Sequence, residues 1–315
     1  MKRNITRSFA LAITFMLFTQ SPPARGQQMA DPDFDSKVAR PAYTKKHPRV
    51  LFDEAHSNFH TTDGRYKPFA NLITNDGYAV TPNKEKFQKK TLEGYDVLVI
   101  SNALGADSNL GVAAKESAFT DEECDAVRDW VRAGGSLLLI ADHTPFGAGA
   151  ENLGKRFGVD MSKGYTADPQ NYDRESGNQG LIIYTRESGR LADHPITRGR
   201  NASERINRII AFTGQSLKGP PGGVALMKLA DTAVDQYPTP TGDREKPDVS
   251  AAGRAQGIAI EFGKGRVVLL GEAAMLSAQV IKRPDRPDFR MGMNRAGIDN
   301  RQFALNLMHW LSHLL

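Results

Sequence analysis

Tyr95-Asp96-Val97-Leu98-Val99-Ile100-Ser101-Asn102 opens on a charged turn, runs through four branched apolar residues and closes on polar side chains. A run that is apolar at every position, not at alternate ones, suits a strand covered on both faces within a parallel sheet. Ser136-Leu137-Leu138-Leu139-Ile140-Ala141 repeats the pattern downstream. Between the two, Thr120 with Glu123 three residues later forms a capping box, and the helix it opens runs through Val127, Trp130 and Val131 to Gly134-Gly135. Upstream lie a third apolar run, Arg49-Val50-Leu51-Phe52-Asp53, a helical pattern over 66–74 and a further strand, Tyr78-Ala79-Val80-Thr81. Strands alternating with helices at this spacing predict an α/β fold: a doubly wound, mostly parallel sheet sandwiched by helices.

The second half is less regular. Strands are expected over 181–184, 208–212, 224–229, 258–262 and 267–270, with a closing helix over 299–313 and a hairpin turn at Gly263-Lys264-Gly265. Two stretches, 165–180 and 236–253, are rich in Gly, Pro, Asp, Asn and Ser and read as functional lids or unordered loops.

At the amino terminus Lys2, Arg3 and Arg7 precede an apolar run from Phe9 to Phe18 that is too short to span a bilayer. With the small residues Ala24 and Gly26 ahead of Gln27, this predicts a signal peptide over 1–26. A retained membrane anchor is the alternative, and no cysteine is near enough for a lipoprotein anchor. The leader holds four basic residues and no acid, so the net charge of +5 falls to +1 without it. A nearly neutral chain gives no pointer to nucleic acid or an anionic membrane. Residues 27–48 read as an extended lead-in, and 49–315 as a single α/β domain with no membrane span after cleavage. Cys124 is the sole cysteine, so no intramolecular disulfide forms, and its acidic neighbours argue for a packed thiol, not a nucleophile.

In an open α/β sheet ligands bind beyond the carboxyl ends of the strands. Those positions carry Asp53-Glu54-Ala55-His56-Ser57-Asn58 with His60 close behind, then Ser101-Asn102, Asp142-His143-Thr144 and Gly271-Glu272. Asp53, His56, Asp142 and His143 together suit a divalent metal such as zinc. The same set also works without metal, one carboxylate orienting a histidine as base while a buried carboxyl serves as acid. Glu272 completes the candidate catalytic set, and Glu54 and Asn102 support it. The alternative is that these short side chains bond loop backbones at strand ends. Thr144-Pro145-Phe146-Gly147-Ala148-Gly149-Ala150-Glu151-Asn152 leads into a helix but lacks the lysine and serine of a nucleotide-binding loop. His309 and His313, four apart in the closing helix, read as dipole-favoured residues, and His194 in Asp193-His194-Pro195 as a turn residue.

Val50-Leu51-Phe52-Asp53-Glu54-Ala55-His56, the 95–101 run, the Gly134-Gly135 entry to the next strand, Asp193-His194-Pro195-Ile196-Thr197, Gly265-Arg266-Val267-Val268-Leu269-Leu270-Gly271-Glu272 and Asp299-Asn300 together resemble the class I glutamine amidotransferase-like superfamily. Within it, the chain is similar to bacterial families of unknown function related to trehalose-utilisation-type and intraflagellar-transport-type domains. The resemblance spans most of 49–315 and implies a flavodoxin-like, amidotransferase-like scaffold. It also carries a departure: where catalytic members place a cysteine at a sharp turn after a central strand, this chain has Asp142-His143. Cysteine-dependent glutamine hydrolysis is therefore not expected.

Two functions follow as expectations. One is an exported hydrolase, periplasmic or extracellular, acting on a carbohydrate or cell-envelope substrate through Asp53, His56, Asp142, His143 and Glu272. The other is a non-catalytic module that binds a ligand or partner on the same edge. Convergence of the four metal candidates would favour catalysis, and their scattering would favour binding.

Overall fold

The computed structural model describes residues 28–105, 116–239, 243–283 and 287–315; the leader expected over 1–26 lies outside them. The chain enters through β1 (Gln28–Ala30), then β2 (Arg49–Asp53), helix Lys67–Asn75, β3 (Ala79–Asn83), β4 (Val97–Ser101), helix Asp121–Ala133 and β5 (Ser136–Ile140). After helix Phe146–Lys155 come β6 (Asp160–Met161), β7 (Tyr165–Ala167), β8 (Ile183–Thr185), β9 (Arg208–Ile210), β10 (Leu217–Lys218) and β11 (Val224–Lys228). The chain finishes with β12 (Val234–Pro238), β13 (Arg244–Ser250), β14 (Ala255–Phe262), β15 (Gly265–Leu270), β16 (Ala278–Ile281), β17 (Phe289–Gly292) and the closing helix Asn300–Leu311.

The apolar runs do form adjacent parallel strands, in the order β3-β2-β4-β5-β15. Val97 pairs with Ser136, and Val267 with Leu137. Every residue of β4 and β5 is buried. Their side chains alternate between two cores, as the two-residue period of a strand demands. Val97, Val99, Leu138 and Ile140 join Phe69, Leu72 and Phe303 on one face. Leu98, Ile100, Leu137 and Leu139 join Cys124, Val127 and Leu153 on the other. Each such side chain contributes about 1.5–3 kcal/mol through burial.

Beyond β15 the expected doubly wound, mostly parallel, flavodoxin-like sheet is not what the chain forms. β14 runs antiparallel to β15, β10 and β11 run antiparallel to β14, and β6 runs antiparallel to β10. Three further small sheets contain only antiparallel pairs: β1-β16-β17, β13-β12-β7 and β8-β9. The physical reason is local. Antiparallel neighbours need only a short turn, whereas parallel neighbours need a long crossover, and the Gly263-Lys264 turn joins β14 directly to β15. The strands between residues 160 and 218 are two or three residues long, too short to extend a continuous parallel sheet. The result is a mixed sheet with a parallel core.

The lead-in is partly ordered as β1, which pairs with β16, and Asp31 behind it is buried. The 236–253 stretch holds most of the β12–β13 hairpin, and 165–180 begins with β7. No helix among the described residues is long and apolar enough to cross a membrane.

Candidate functional site

Parallel strands align their carboxyl ends, and the segments leaving β2, β5 and β15 meet around a cavity of about 880 Å³. Asp142 and His143 follow β5, Glu272 follows β15, and Phe59, His60 and Arg65 come from the segment after β2; all six line the cavity. The opposite wall includes Gln28 of β1 and Gln279 of β16, whose side-chain amides bond each other at 2.7 Å. Asn178, from the polar stretch beginning at residue 165, also lines the space.

Asp142 is held from two sides. Asn102 Nδ2 donates to its Oδ2 at 2.8 Å and the Ala273 backbone N–H to its Oδ1 at 2.8 Å, while the Asp142 N–H donates back to Asn102 Oδ1 at 3.0 Å. Asn102 is fully buried and adopts φ +49°, a conformation that costs a non-glycine residue energy. Burial pushes the Asp142 carboxyl above its ordinary value, against the opposing influence of His143 and the Asn102 and Ala273 bonds. Glu272 has no exposed surface and caps the turn that follows it, accepting from the Ala274 and Met275 N–H groups at 2.5 and 2.9 Å. Burial, and then the neighbouring Asp142 charge, push its carboxyl far above the usual range. The protonated form of Glu272 is thereby favoured behind Asp142.

His143 stacks on Tyr165 with ring centroids 3.5 Å apart. Its Nδ1 lies 2.8 Å from the Thr144 carbonyl, which only accepts, so Nδ1 carries the proton and Nε2 is left as the basic nitrogen. No left-handed residue occurs at positions 141–143, so the turn after β5 lacks that mark of a strained elbow. His60 bonds Ser101 Oγ at 2.9 Å and stacks on Tyr66. Burial, helped by the Arg65 charge, pushes it down to about 3, so it stays neutral.

Asp53 and His56 lie elsewhere. His56 Nδ1 is 2.9 Å from both Asp53 oxygens and Nε2 is 2.9 Å from Glu123 Oε1. The ring sits between Phe87 and Phe119, and neither Asp53 nor His56 lines the cavity. Glu123 was visible in the sequence only as a capping-box residue. Its carboxylate does cap Thr120, but it also accepts from His56 and the Phe87 N–H. Burial opposes its charge, yet these bonds together hold its carboxyl below the ordinary value.

The four metal candidates therefore divide two and two. Both ring nitrogens of His56 already face carboxylates, and His143 Nδ1 faces a carbonyl. Among the described residues, no three His, Cys, Asp or Glu side chains are grouped to hold a metal ion. These residues do not form one zinc ligand set.

Other sequence candidates serve packing. Glu54 accepts from Thr62 and Lys84. His309 bonds buried Asp76 at 2.6 Å, apart from exposed His313. His194 caps Ile196 N–H. Cys124 is fully buried, and burial pushes its thiol up to about 12. The glycine-rich stretch after Pro145 is itself helix, where Gly149 permits close approach: a Cβ there would stand 2.5 Å from the Ala103 carbonyl oxygen. Sequence reasoning missed Arg65, which no motif marks.

Neither a protein-family model nor a curated protein matches the chain. Among solved structures, the mmIFT52 N-terminal domain is similar at TM-score 0.59 and 12% identity, over 84% of this chain and 97% of that one. Cytoplasmic protein STM1381 from Salmonella typhimurium LT2 follows at TM-score 0.45 and 15% identity, over 84% and 98% of the two chains. A ThuA-like protein from Bacteroides uniformis ATCC 8492 stands at 0.41 and 15%, over 86% and 94%. The first of these likenesses establishes a shared fold: this chain is built like the mmIFT52 N-terminal domain over most of its length.

Proposed function

We propose that the chain is an exported hydrolase of carbohydrate or cell-envelope fragments, periplasmic or extracellular, whose reaction runs at Asp142 and His143. The observation that carries this reading is the cavity floor. There burial raises the Asp142 carboxyl above its ordinary value, next to a histidine whose Nε2 faces no hydrogen-bond partner among the described residues. A cavity of about 880 Å³ is of ligand size, and exposed Phe59 beside it offers an apolar ring to a sugar face.

Protonated Asp142 gives its proton to the leaving oxygen as the glycosidic bond breaks. His143 Nε2 takes the proton of the attacking water, and proton return from His143 to Asp142 resets the site. Glu272 is a positioning residue that acts through Asp142. Release of p-nitrophenol from a panel of glycosides tests this directly. Asp142→Asn should lower kcat by about 10²–10⁴-fold with bound-sugar affinity kept. Equal turnover in Asp142→Asn and the unaltered protein would refute the assignment.

The separation of Asp53 and His56 from Asp142 and His143 favours a second reading, a non-catalytic carbohydrate-binding module on the same scaffold. Sugar binding without turnover on any substrate of the panel would select it.

A further inference from the structure

Arg65 is half-buried and lines the cavity with its guanidinium 4.4 Å above the Phe59 ring. Among the described residues it has no ion pair and donates no hydrogen bond. Of the other cavity arginines, Arg290 pairs with Asp31 and Arg295 with Asp173 at 2.7 Å, while Arg283 lies over the Phe289 ring as Arg65 lies over Phe59. Burial lowers Arg65 from its ordinary value. A half-buried cation without a counter-ion is costly, and a ligand anion would remove that cost. A guanidinium lying on an aromatic ring keeps its N–H edge free, the geometry that grips carboxylate or phosphate with two parallel bonds.

We propose that Arg65, laid on Phe59 without an acidic partner, binds an oxyanion carried by the ligand, so the cavity takes acidic sugars in preference to neutral ones. The proposal rests on the cavity being the ligand site, not on turnover. A carboxylate or a phosphate on the ring supplies the same chemistry.

Calorimetric titration with D-glucuronate, D-glucose 6-phosphate and D-glucose tests it on the unaltered protein, Arg65→Gln, Arg65→Lys and Asp142→Asn. The unaltered protein should bind at least one anionic sugar about tenfold or more tighter than glucose, and the tighter of the two names the source of the anion. Arg65→Gln should collapse that preference with its thermal midpoint kept, and Arg65→Lys should retain part of it. Equal affinity for the three sugars, binding of neither anion, or a preference that survives Arg65→Gln would overturn the proposal. Anion preference in a protein without turnover would sink the hydrolase reading and leave this one standing. Turnover lost in Asp142→Asn alongside unchanged anion preference in Arg65→Gln would do the reverse.

Discussion

Four buried side chains set the behaviour of this molecule one residue at a time. His56 bridges Asp53 and Glu123 between two phenylalanine rings, so His56→Ala would leave two carboxyls facing an apolar pocket. A loss of about 3–5 kcal/mol in urea unfolding is expected, with the cavity residues untouched. His60 titrates from 6.5 in the unfolded chain to about 3 in the folded one. Its depressed value means the stability it contributes is whole above 6.5 and falls as pH drops toward 3, by about 2 kcal/mol at pH 5. Comparing pH 7 with pH 5, His60→Gln should remove that part of the slope. Glu272 has the opposite sign: its contribution is whole below the ordinary 4.5 and is lost as pH rises through its elevated folded value. Asn102 separates strain from function. Asn102→Gly and Asn102→Ala both release Asp142, but the alanine variant should be less stable than the glycine variant by about 1 kcal/mol, since only glycine accepts φ +49° freely.

Elements were legible where burial is two-sided. β4 and β5 announce themselves because no position along them is polar until the strand ends, and the Asp121–Ala133 helix announces itself through Thr120 and Glu123. The same logic failed for β16 and β17, which include Gln279 and Arg290, and for β12 and β13, which are mostly polar. Antiparallel strands pair through backbone bonds whether their polar side chains face water or, like buried Gln279, bond other side chains, so no apolar period marks them. Packing at the head of β15 offers a test at this scale. A Cβ on Gly265 would stand 2.0 Å from the Gly135 carbonyl oxygen and 2.2 Å from that of Val131. These are backbone atoms that cannot step aside, so Gly265→Ala should cost about 3 kcal/mol or more, read as a lowered midpoint in denaturant.

Across the whole molecule, the strand-end rule pointed to the edge of the sheet where the cavity lies but not to how the candidate residues group there. Asp142, His143 and Glu272 were readable because they directly follow apolar strands. The division of the candidate set was not, because the loop after β2 folds His56 under the sheet toward Glu123 while it brings Phe59, His60 and Arg65 to the cavity. Residues a few positions apart thereby end in different environments, and no sequence spacing encodes that turn. Glu272 is fully buried, packed against Gly214 and bonded to the Ala274 and Met275 backbone. Carbon-13 NMR titration of side-chain carboxyls, assigned with Glu272→Gln and repeated in Asp142→Asn, measures the Glu272–Asp142 pair that stands behind the proposed acid. One glutamate signal should titrate far above 4.5 and move down when Asp142 is neutralised. A protein in which every carboxyl titrates in the ordinary range, or in which Asp142→Asn leaves that signal unmoved, would contradict the buried Glu272–Asp142 pair at the cavity floor.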